Sequence, residues 1–234
     1  MMNTRVHLKP GAVCADPYFV MEVPRLTEYR YAWFEVARGC SYSKAYARCP
    51  ACGGAVGSLM WQPPYDVVLK QARRVGDFVG GFGGPELLVS TRFSDLYRRA
   101  RLTGIARWLP VTVRMLGARV PKANEAPSLL GVYFSRRLVR ADWSKMGVKW
   151  LTRPKVGYCR VCGPGGGGRN GCYSSIERIA IDPKTLGHAG DMFQAMNLHG
   201  EVLVSARARQ LIEDSGLENA HFIRLTDARC SFFE

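Results

Sequence analysis

The sequence predicts an α+β protein built from two pseudo-repeated strand-helix-strand halves with mixed sheets. One observation is an internal repeat: ELLVSTRFSDLYRRARLTGIARWLPV, from Glu86, aligns without a gap with EVLVSARARQLIEDSGLENAHFIRL, from Glu201. A second is a C-x-x-C-G motif that occurs once in each half, as CPACG and CRVCG. A repeat of this kind indicates two similar structural units. Strand-serine-helix patterns also recur by chance in α+β proteins, and that explanation stays open.

Each copy of the repeat begins as a strand and continues as a helix. ELLV and EVLV are short aliphatic runs typical of strands. Ser90 and Ser205 follow where a helix N-cap belongs, because a serine hydroxyl accepts from the first exposed N–H groups. Further upstream, Phe78 falls opposite Phe193 in the same alignment.

Helical spacing follows each serine, with apolar or small residues at i, i+3, i+4 and i+7. These are Phe93, Leu96, Tyr97 and Ala100 in the first copy, and Ala208, Leu211, Ile212 and Ser215 in the second. We expect the helices to end near Gly104 and Asn219, residue types that tolerate the left-handed conformation. The apolar stretches IARWLPVTV and AHFIRL then predict a further strand in each copy.

Other strand candidates lie outside the two copies: RYAWFEVA, YDVVL, LLGVYFSRRLV and IERIAID. The stretch VPKANEAPSL is the best place for a boundary, because proline and polar residues interrupt the periodic pattern there. The predicted halves are therefore residues 1–122 and 123–234, which can also pack as one compact domain.

The two C-x-x-C-G motifs supply four thiols, Cys49, Cys52, Cys159 and Cys162. One such pair is half of a tetrahedral zinc site, and two pairs complete it with no position left for water or substrate. We expect a structural zinc that clasps the two halves. Redox-active pairs, which need a helix N-terminus after a strand, and two unrelated pairs remain the alternatives.

Four further cysteines, Cys14, Cys40, Cys172 and Cys230, have no pairing signature and are expected to be free thiols. Cys172 comes soon after Cys162 and is a possible substitute ligand.

The net charge of +14, with an isoelectric point near 9.7, favours acidic partners such as nucleic acid or an acidic protein, although a basic solvated face is the plainer explanation. No apolar run is long enough for a signal peptide or a membrane span, so the chain is expected to be cytoplasmic, with no membrane partner. In that reducing compartment, cysteines serve as metal ligands or free thiols more often than as disulfides.

Motifs of catalysis do not occur. The histidines lack H-E-x-x-H spacing, the glycine-rich stretches lack the lysine of a phosphate loop, and G-x-S-x-G is missing. We therefore expect no enzymatic activity. Aromatic residues interleave with arginines in FSRRLVRADW and RRARLTGIARW, which keeps a zinc-containing nucleic-acid-binding protein as the alternative function.

With CPACG, CRVCG and LLVSTRFSDLYRRARLTGI in place, the chain resembles the double-CXXCG motif proteins. This myxobacterial family includes immunity proteins for Sit-type polymorphic toxins, which act in kin discrimination. The segment IDPKTLGHAGDMFQAMNLHGEVLVSARARQLIEDSGLENAHF is similar to the C-terminal unit of immunity-protein family eleven. The glycine-rich insertion after Cys162 departs from the family pattern.

The resemblance implies that Cys49, Cys52, Cys159 and Cys162 hold Zn²⁺, and it offers no catalytic residues. It implies a cytoplasmic immunity protein that neutralises a cognate toxin by binding it. The positive charge then suits an acidic toxin surface, and suits a nuclease toxin with a basic substrate cleft less well.

Overall fold

The structure is a computed structural model. It describes a set of segments separated by gaps: residues 18–23, 31–39, 41, 47–56, 61–70, 74–82, 87–116, 128–134, 139–152, 158–159, 161–163, 172–196, 198 and 201–231.

Strands dominate these residues. In chain order they are β1 (Tyr18–Glu22), β2 (Trp33–Val36), β3 (Ala47–Arg48), β4 (Ala55–Val56), β5 (Asp66–Lys70), β6 (Phe78–Val79), β7 (Gly81–Phe82), β8 (Leu87–Ser90), β9 (Ile105–Pro110), β10 (Thr112–Leu116), β11 (Leu129–Phe134), β12 (Val148–Thr152), β13 (Cys172–Ile176), β14 (Met192–Phe193), β15 (Val202–Ser205), β16 (His221–Arg224) and β17 (Cys230–Ser231). The α-helices are α1 (Thr91–Arg99) and α2 (Ala206–Asp214), and short 3₁₀ helices span Trp143–Lys145 and Pro183–His188. The predicted α+β class is confirmed. Among the described residues, no helix has the length and apolar character needed to cross a bilayer.

Two four-stranded antiparallel sheets carry the helices. Their strand orders are β6-β8-β11-β9 and β14-β15-β1-β16. In each sheet, the strand before the helix lies second and the strand after the helix lies at an edge. A third four-stranded sheet, β10-β5-β2-β7, is mixed, because β5 pairs antiparallel with β2 and parallel with β10. A three-stranded sheet, β12-β13-β17, and the small hairpin β3-β4 complete the described strands.

Alternating side chains on the strands enter three separate hydrophobic cores among the described residues. Leu87 and Val89 of β8 enter a central core between the helices, while Leu88 enters a core shared with the mixed sheet. Val202 and Val204 of β15 likewise enter the central core. Their neighbour Leu203 enters a third core, shared with β13. Period-two alternation therefore buries both faces of these strands.

The helices begin directly after the predicted serines, but they end earlier than predicted, α1 at Arg99 and α2 at Asp214. The Ser90 hydroxyl accepts from the Phe93 N–H at 3.1 Å, and the Ser205 hydroxyl accepts from the Ala208 N–H at 3.1 Å. The left-handed residues that follow the C-caps are Arg101 and Gly216, with φ angles of 52° and 59°, whereas the predicted Gly104 and Asn219 adopt positive φ angles further along the chain.

The predicted match between Phe78 and Phe193 is wrong by one residue. Phe78 pairs with Val89, and the equivalent pair in the second sheet is Met192 with Val204. Phe78 and Met192 both enter the central core, whereas Phe193 faces the third core. The connection before the second copy is one residue longer, which an ungapped alignment does not detect.

An aspartate lies beside each N-cap serine and ties it to the other copy. Asp77 accepts from the Ser90 hydroxyl at 2.6 Å and from the Glu218 N–H, which follows α2, at 2.9 Å. Asp191 accepts from the Ser205 hydroxyl at 3.0 Å and from the Thr103 N–H, which follows α1, at 2.9 Å. Each aspartate therefore joins the start of one helix to the end of the other.

Two arginines also join the start of one helix to the end of the other. Arg92 forms an ion pair with Asp77 at 3.2 Å and donates to the Ser215 carbonyl at the end of α2 at 2.8 Å. Arg207 lies 3.5 Å from Asp191 and donates to the Ala100 carbonyl at the end of α1. The start of each helix thus lies beside the end of the other, and each arginine supplies positive charge where a helix dipole is negative.

Strands cross the boundary predicted near residue 122. β1, from residues 1–122, lies between β15 and β16, whereas β11, from residues 123–234, lies between β8 and β9. Each helix-bearing sheet therefore contains a strand from the other side of that boundary.

The predicted strand IERIAID is only partly a strand, since β13 ends at Ile176. Beyond it the backbone groups find scattered partners: Glu177 N–H donates to the Met146 carbonyl, and Ile179 N–H donates to the Leu225 carbonyl. The end of the segment forms only a single antiparallel bridge, between Ile181 and Ala141, and no longer ladder in the described structure.

The hydrogen bonds and the ion pair that Asp77 forms with both helix segments predict that its removal lowers stability. Asp77→Ala leaves three donors without their acceptor in a site where the residue is only 8% exposed. We expect the free energy of unfolding to fall by roughly 2 to 3 kcal/mol, measured by urea denaturation. Asp95→Ala is the control, because Asp95 is exposed on α1, and should change stability by less than about 0.5 kcal/mol. Equal losses for the two variants would contradict the claim that the contacts of Asp77 stabilise the fold.

Candidate metal centre

The two C-x-x-C-G motifs fold into the same turn. The Gly53 N–H donates to the Cys49 carbonyl at 2.9 Å, and the Gly163 N–H donates to the Cys159 carbonyl at 2.8 Å. The two glycines have φ angles of 69° and 73°, a left-handed conformation that glycine adopts without steric penalty. The shared turn explains why both motifs end in glycine.

Different elements hold the two turns in place. The first turn closes the β3-β4 hairpin, where the Cys49 N–H donates to the Gly54 carbonyl at 2.8 Å. The second turn presses Gly163 against the indole of Trp143, which belongs to the third core. Val161 and Met196 pack around the buried cysteines. The first turn is thus held by a hairpin, and the second by the protein core.

The four sulfurs predicted as ligands converge. Cys49 Sγ lies 3.9 Å from Cys159 Sγ, and Cys52 Sγ lies 3.6 Å from Cys162 Sγ. All four Sγ atoms lie within 4.8 Å of one another. A tetrahedral ion with metal–sulfur bonds of about 2.3 Å requires sulfurs about 3.8 Å apart. The arrangement is therefore compatible with one metal ion held by both motifs.

Burial and hydrogen bonds give the four thiols different exposure and different pKa values. Cys49 and Cys162 are buried, whereas Cys52 is exposed. The backbone N–H groups of Cys162 and Val161 lower the pKa of the Cys159 thiol to about 7, which favours a thiolate near neutral pH. Burial raises the pKa of the Cys162 thiol, because a buried thiolate loses its hydration. A cation among the sulfurs would offset that loss.

The geometry bears on the alternatives left open by the sequence. No disulfide joins these four cysteines, and their thiols form one group rather than two unrelated pairs. Cys49 and Cys52 lie in a hairpin turn, and β4 follows them, so no helix N-terminus is placed to activate this pair. A closed four-thiolate metal centre fits these observations better than dithiol exchange does.

The remaining cysteines add no described ligand. Cys14 and Cys40 lie outside the described residues. Cys172 begins β13 and Cys230 begins β17, and the side chains of both fall outside the described part of the chain. The prediction that Cys172 substitutes as a ligand therefore stays a prediction.

Sequence reasoning missed the residues that support the centre. Trp143 lies 16 to 20 positions before the second motif, and Met196 lies beyond it, so neither shares a periodic pattern with the cysteines. One available signal is Val161, an apolar residue placed between the two cysteines of the second motif. The convergence of such distant residues depends on the folded core.

Comparisons with known proteins assign no family. The chain matches no protein-family model, and no curated protein matches it significantly. Functional inference therefore rests on the motifs and on the geometry of this centre.

The two turn glycines predict different sensitivities to substitution. In Gly163→Ala, the added Cβ would lie 1.9 Å from Trp143 Nε1, whereas nothing lies within 4 Å of a Cβ at position 53. Both variants carry a left-handed alanine that costs about 1 kcal/mol, and the clash at position 163 adds about 1 to 3 kcal/mol. Urea denaturation should show the larger loss for Gly163→Ala. Equal losses would mean that Trp143 does not buttress the turn.

Proposed function

We propose that this protein is a cytoplasmic immunity protein that binds a cognate polymorphic toxin and neutralises it without catalysis. The observation that carries the proposal is the pair of C-x-x-C-G turns, which share one conformation and bring their four thiols into one cluster. These motifs are also the residues by which the sequence resembles the double-CXXCG immunity proteins. Local geometry and sequence resemblance thus support the same proposal.

The metal in this proposal is Zn²⁺. Four thiolates are a preferred donor set for zinc, and the sulfur spacing fits a tetrahedron. When bound, the ion supplies only a cross-link, because protein sulfurs fill every position that water or substrate would need. The residues that hold it are Cys49, Cys52, Cys159 and Cys162. The centre then fixes the shape of a binding surface and takes no part in a reaction.

The proposal includes a pseudo-repeated architecture with the metal as its clasp. Several matched features support it: the serine caps, the aspartates behind them, the reciprocal arginines and the common strand order of the two helix-bearing sheets. Each half contributes one C-x-x-C-G turn. A cross-link between the halves limits their relative movement, which lowers the entropy lost on binding a partner.

Neutralisation by binding requires a stoichiometric complex. The net charge of +14 favours a partner with an acidic surface. Complementary charge accelerates association more than it sets final affinity, a useful property for an inhibitor that must act before its toxin does. A membrane partner is not part of the proposal.

A nucleic-acid-binding protein is the second candidate. The net charge of +14 favours it, as do the aromatic residues interleaved with arginines in FSRRLVRADW and RRARLTGIARW. Such a protein would bind short DNA or RNA with an affinity that falls steeply as salt rises.

The proposed function is tested by co-expression with the toxin encoded beside this gene. We expect the protein to restore growth and to co-purify with the toxin. Cys162→Ser should abolish protection, because it removes a buried ligand from the clasp, whereas Thr152→Ala, an exposed change on β12, should protect like wild type. Failure of the wild-type protein both to rescue growth and to bind the toxin would overturn the proposal.

A further inference from the structure

The ends of the two helices carry opposite charge. The last turn of α1 contains Arg98 and Arg99, whereas the matching positions of α2 are Glu213 and Asp214. The two segments match closely in caps, aspartates and arginine exchange, so the fold does not require either charge. The arginines therefore distinguish one end of the helix pair from the other.

A third arginine follows the first two in a conformation that disfavours it. Arg101 is the residue after the C-cap of α1 and has a φ of 52°, whereas the residue after the C-cap of α2 is Gly216, with a φ of 59°. Glycine adopts this conformation freely, and a residue with a Cβ does not. Arg101 is exposed. Its side chain thus has no role in packing that would offset the strain, which points to a role outside the fold.

These arginines are available to a partner. Arg98, Arg99 and Arg101 are all exposed. Within the described part of the chain, none of them forms an ion pair with a carboxylate. Other basic residues are already engaged: Arg92 with Asp77 and Arg207 with Asp191.

One of the arginines is held in position. The guanidinium of Arg98 lies over the Trp108 ring, and Trp108 in turn packs edge-on against Tyr97, with ring centres 5.2 Å apart. Tyr97 is buried in the central core. An arginine stacked on a fixed aromatic ring loses less side-chain entropy on binding, and arginine and tryptophan are enriched at interface hot spots.

We propose that the exposed end of α1, formed by Arg98, Arg99 and Arg101, is the surface that docks a compact acidic patch on the partner protein. The inference rests on the proposed function and adds the face by which the toxin is held. Guanidinium groups pair with carboxylates in bidentate geometry, so a few aspartates or glutamates on the partner suffice.

The same charges favour a protein over a nucleic acid. Because Arg92 reaches the end of α2, the acidic pair Glu213 and Asp214 lies at the opposite end of the helix pair from the arginines. A phosphate backbone that ran along the helices would meet these carboxylates. In addition, Trp108 is half-buried beneath Arg98, so its face is not open for stacking with a base. A compact acidic patch avoids both obstacles.

The test compares two triple variants of equal charge. Arg98→Ala/Arg99→Ala/Arg101→Gly removes the proposed surface and places at position 101 the residue type that α2 has. Lys149→Ala/Lys184→Ala/Arg224→Ala removes the same charge from exposed positions elsewhere. Affinity for the purified toxin of the neighbouring gene is measured by calorimetry, and unfolding midpoints confirm that both variants fold.

The arginine variant should bind the toxin more weakly than the control by about 30-fold or more, the loss expected when hot-spot arginines are removed. Affinities of the two variants within about threefold of each other would contradict the proposal that these arginines form the docking surface. If the wild-type protein still binds the toxin in that case, the proposed function stands.

Two further arms separate the remaining outcomes. A wild-type protein that does not bind the toxin would overturn the proposed function. Poly-L-glutamate then reports on the surface alone, and selective loss of its binding in the arginine variant supports a docking site for an acidic protein. A short DNA duplex bound by wild type more tightly than poly-L-glutamate, and lost selectively in the arginine variant, would overturn the choice of partner.

Discussion

Cys49 and Cys159 are separated by 110 positions in the chain, yet their sulfurs lie 3.9 Å apart. The hairpin that carries one turn and the core that supports the other must therefore be placed correctly for the thiols to meet. Closing a loop of this length removes about 5 kcal/mol of conformational entropy from the unfolded chain, on the chain-entropy treatment of cross-links. Because four thiolates bind metal only when they converge, metal affinity and folding become one quantity. In the proposed function, a metal ion held by these four thiols would fix the shape of the binding surface.

A second constraint acts between the helices. Asp77 and Asp191 each accept from an N-cap serine of their own copy and from a backbone N–H that follows the other helix. The two helix-bearing sheets are therefore joined by reciprocal hydrogen bonds as well as by the apolar central core. Strands β1 and β11 strengthen the connection, because each lies in the sheet opposite its own side of residue 122. Such exchange makes the two sheets cooperate in folding.

The features predicted from sequence are those that depend on local chemistry. The caps Ser90 and Ser205 and the cluster of four thiols follow from residue type and spacing. The features that were missed depend on long-range packing. Strand β1 pairs with β15, which lies far from it in the sequence. Trp143 contacts Gly163 only in the folded core. The sequence around Asp77 gives no sign that its carboxylate accepts from the Glu218 N–H. The shift from Phe193 to Met192 needed the strand register, which an alignment of residues does not contain.

Zinc K-edge X-ray absorption on the purified protein tests whether the four thiols hold one zinc ion with no other ligand. We expect one zinc per chain with four sulfur neighbours at about 2.3 Å and no nitrogen or oxygen in the inner shell. A protein that contains no stoichiometric metal, or a zinc with water or imidazole among its ligands, would contradict the closed clasp.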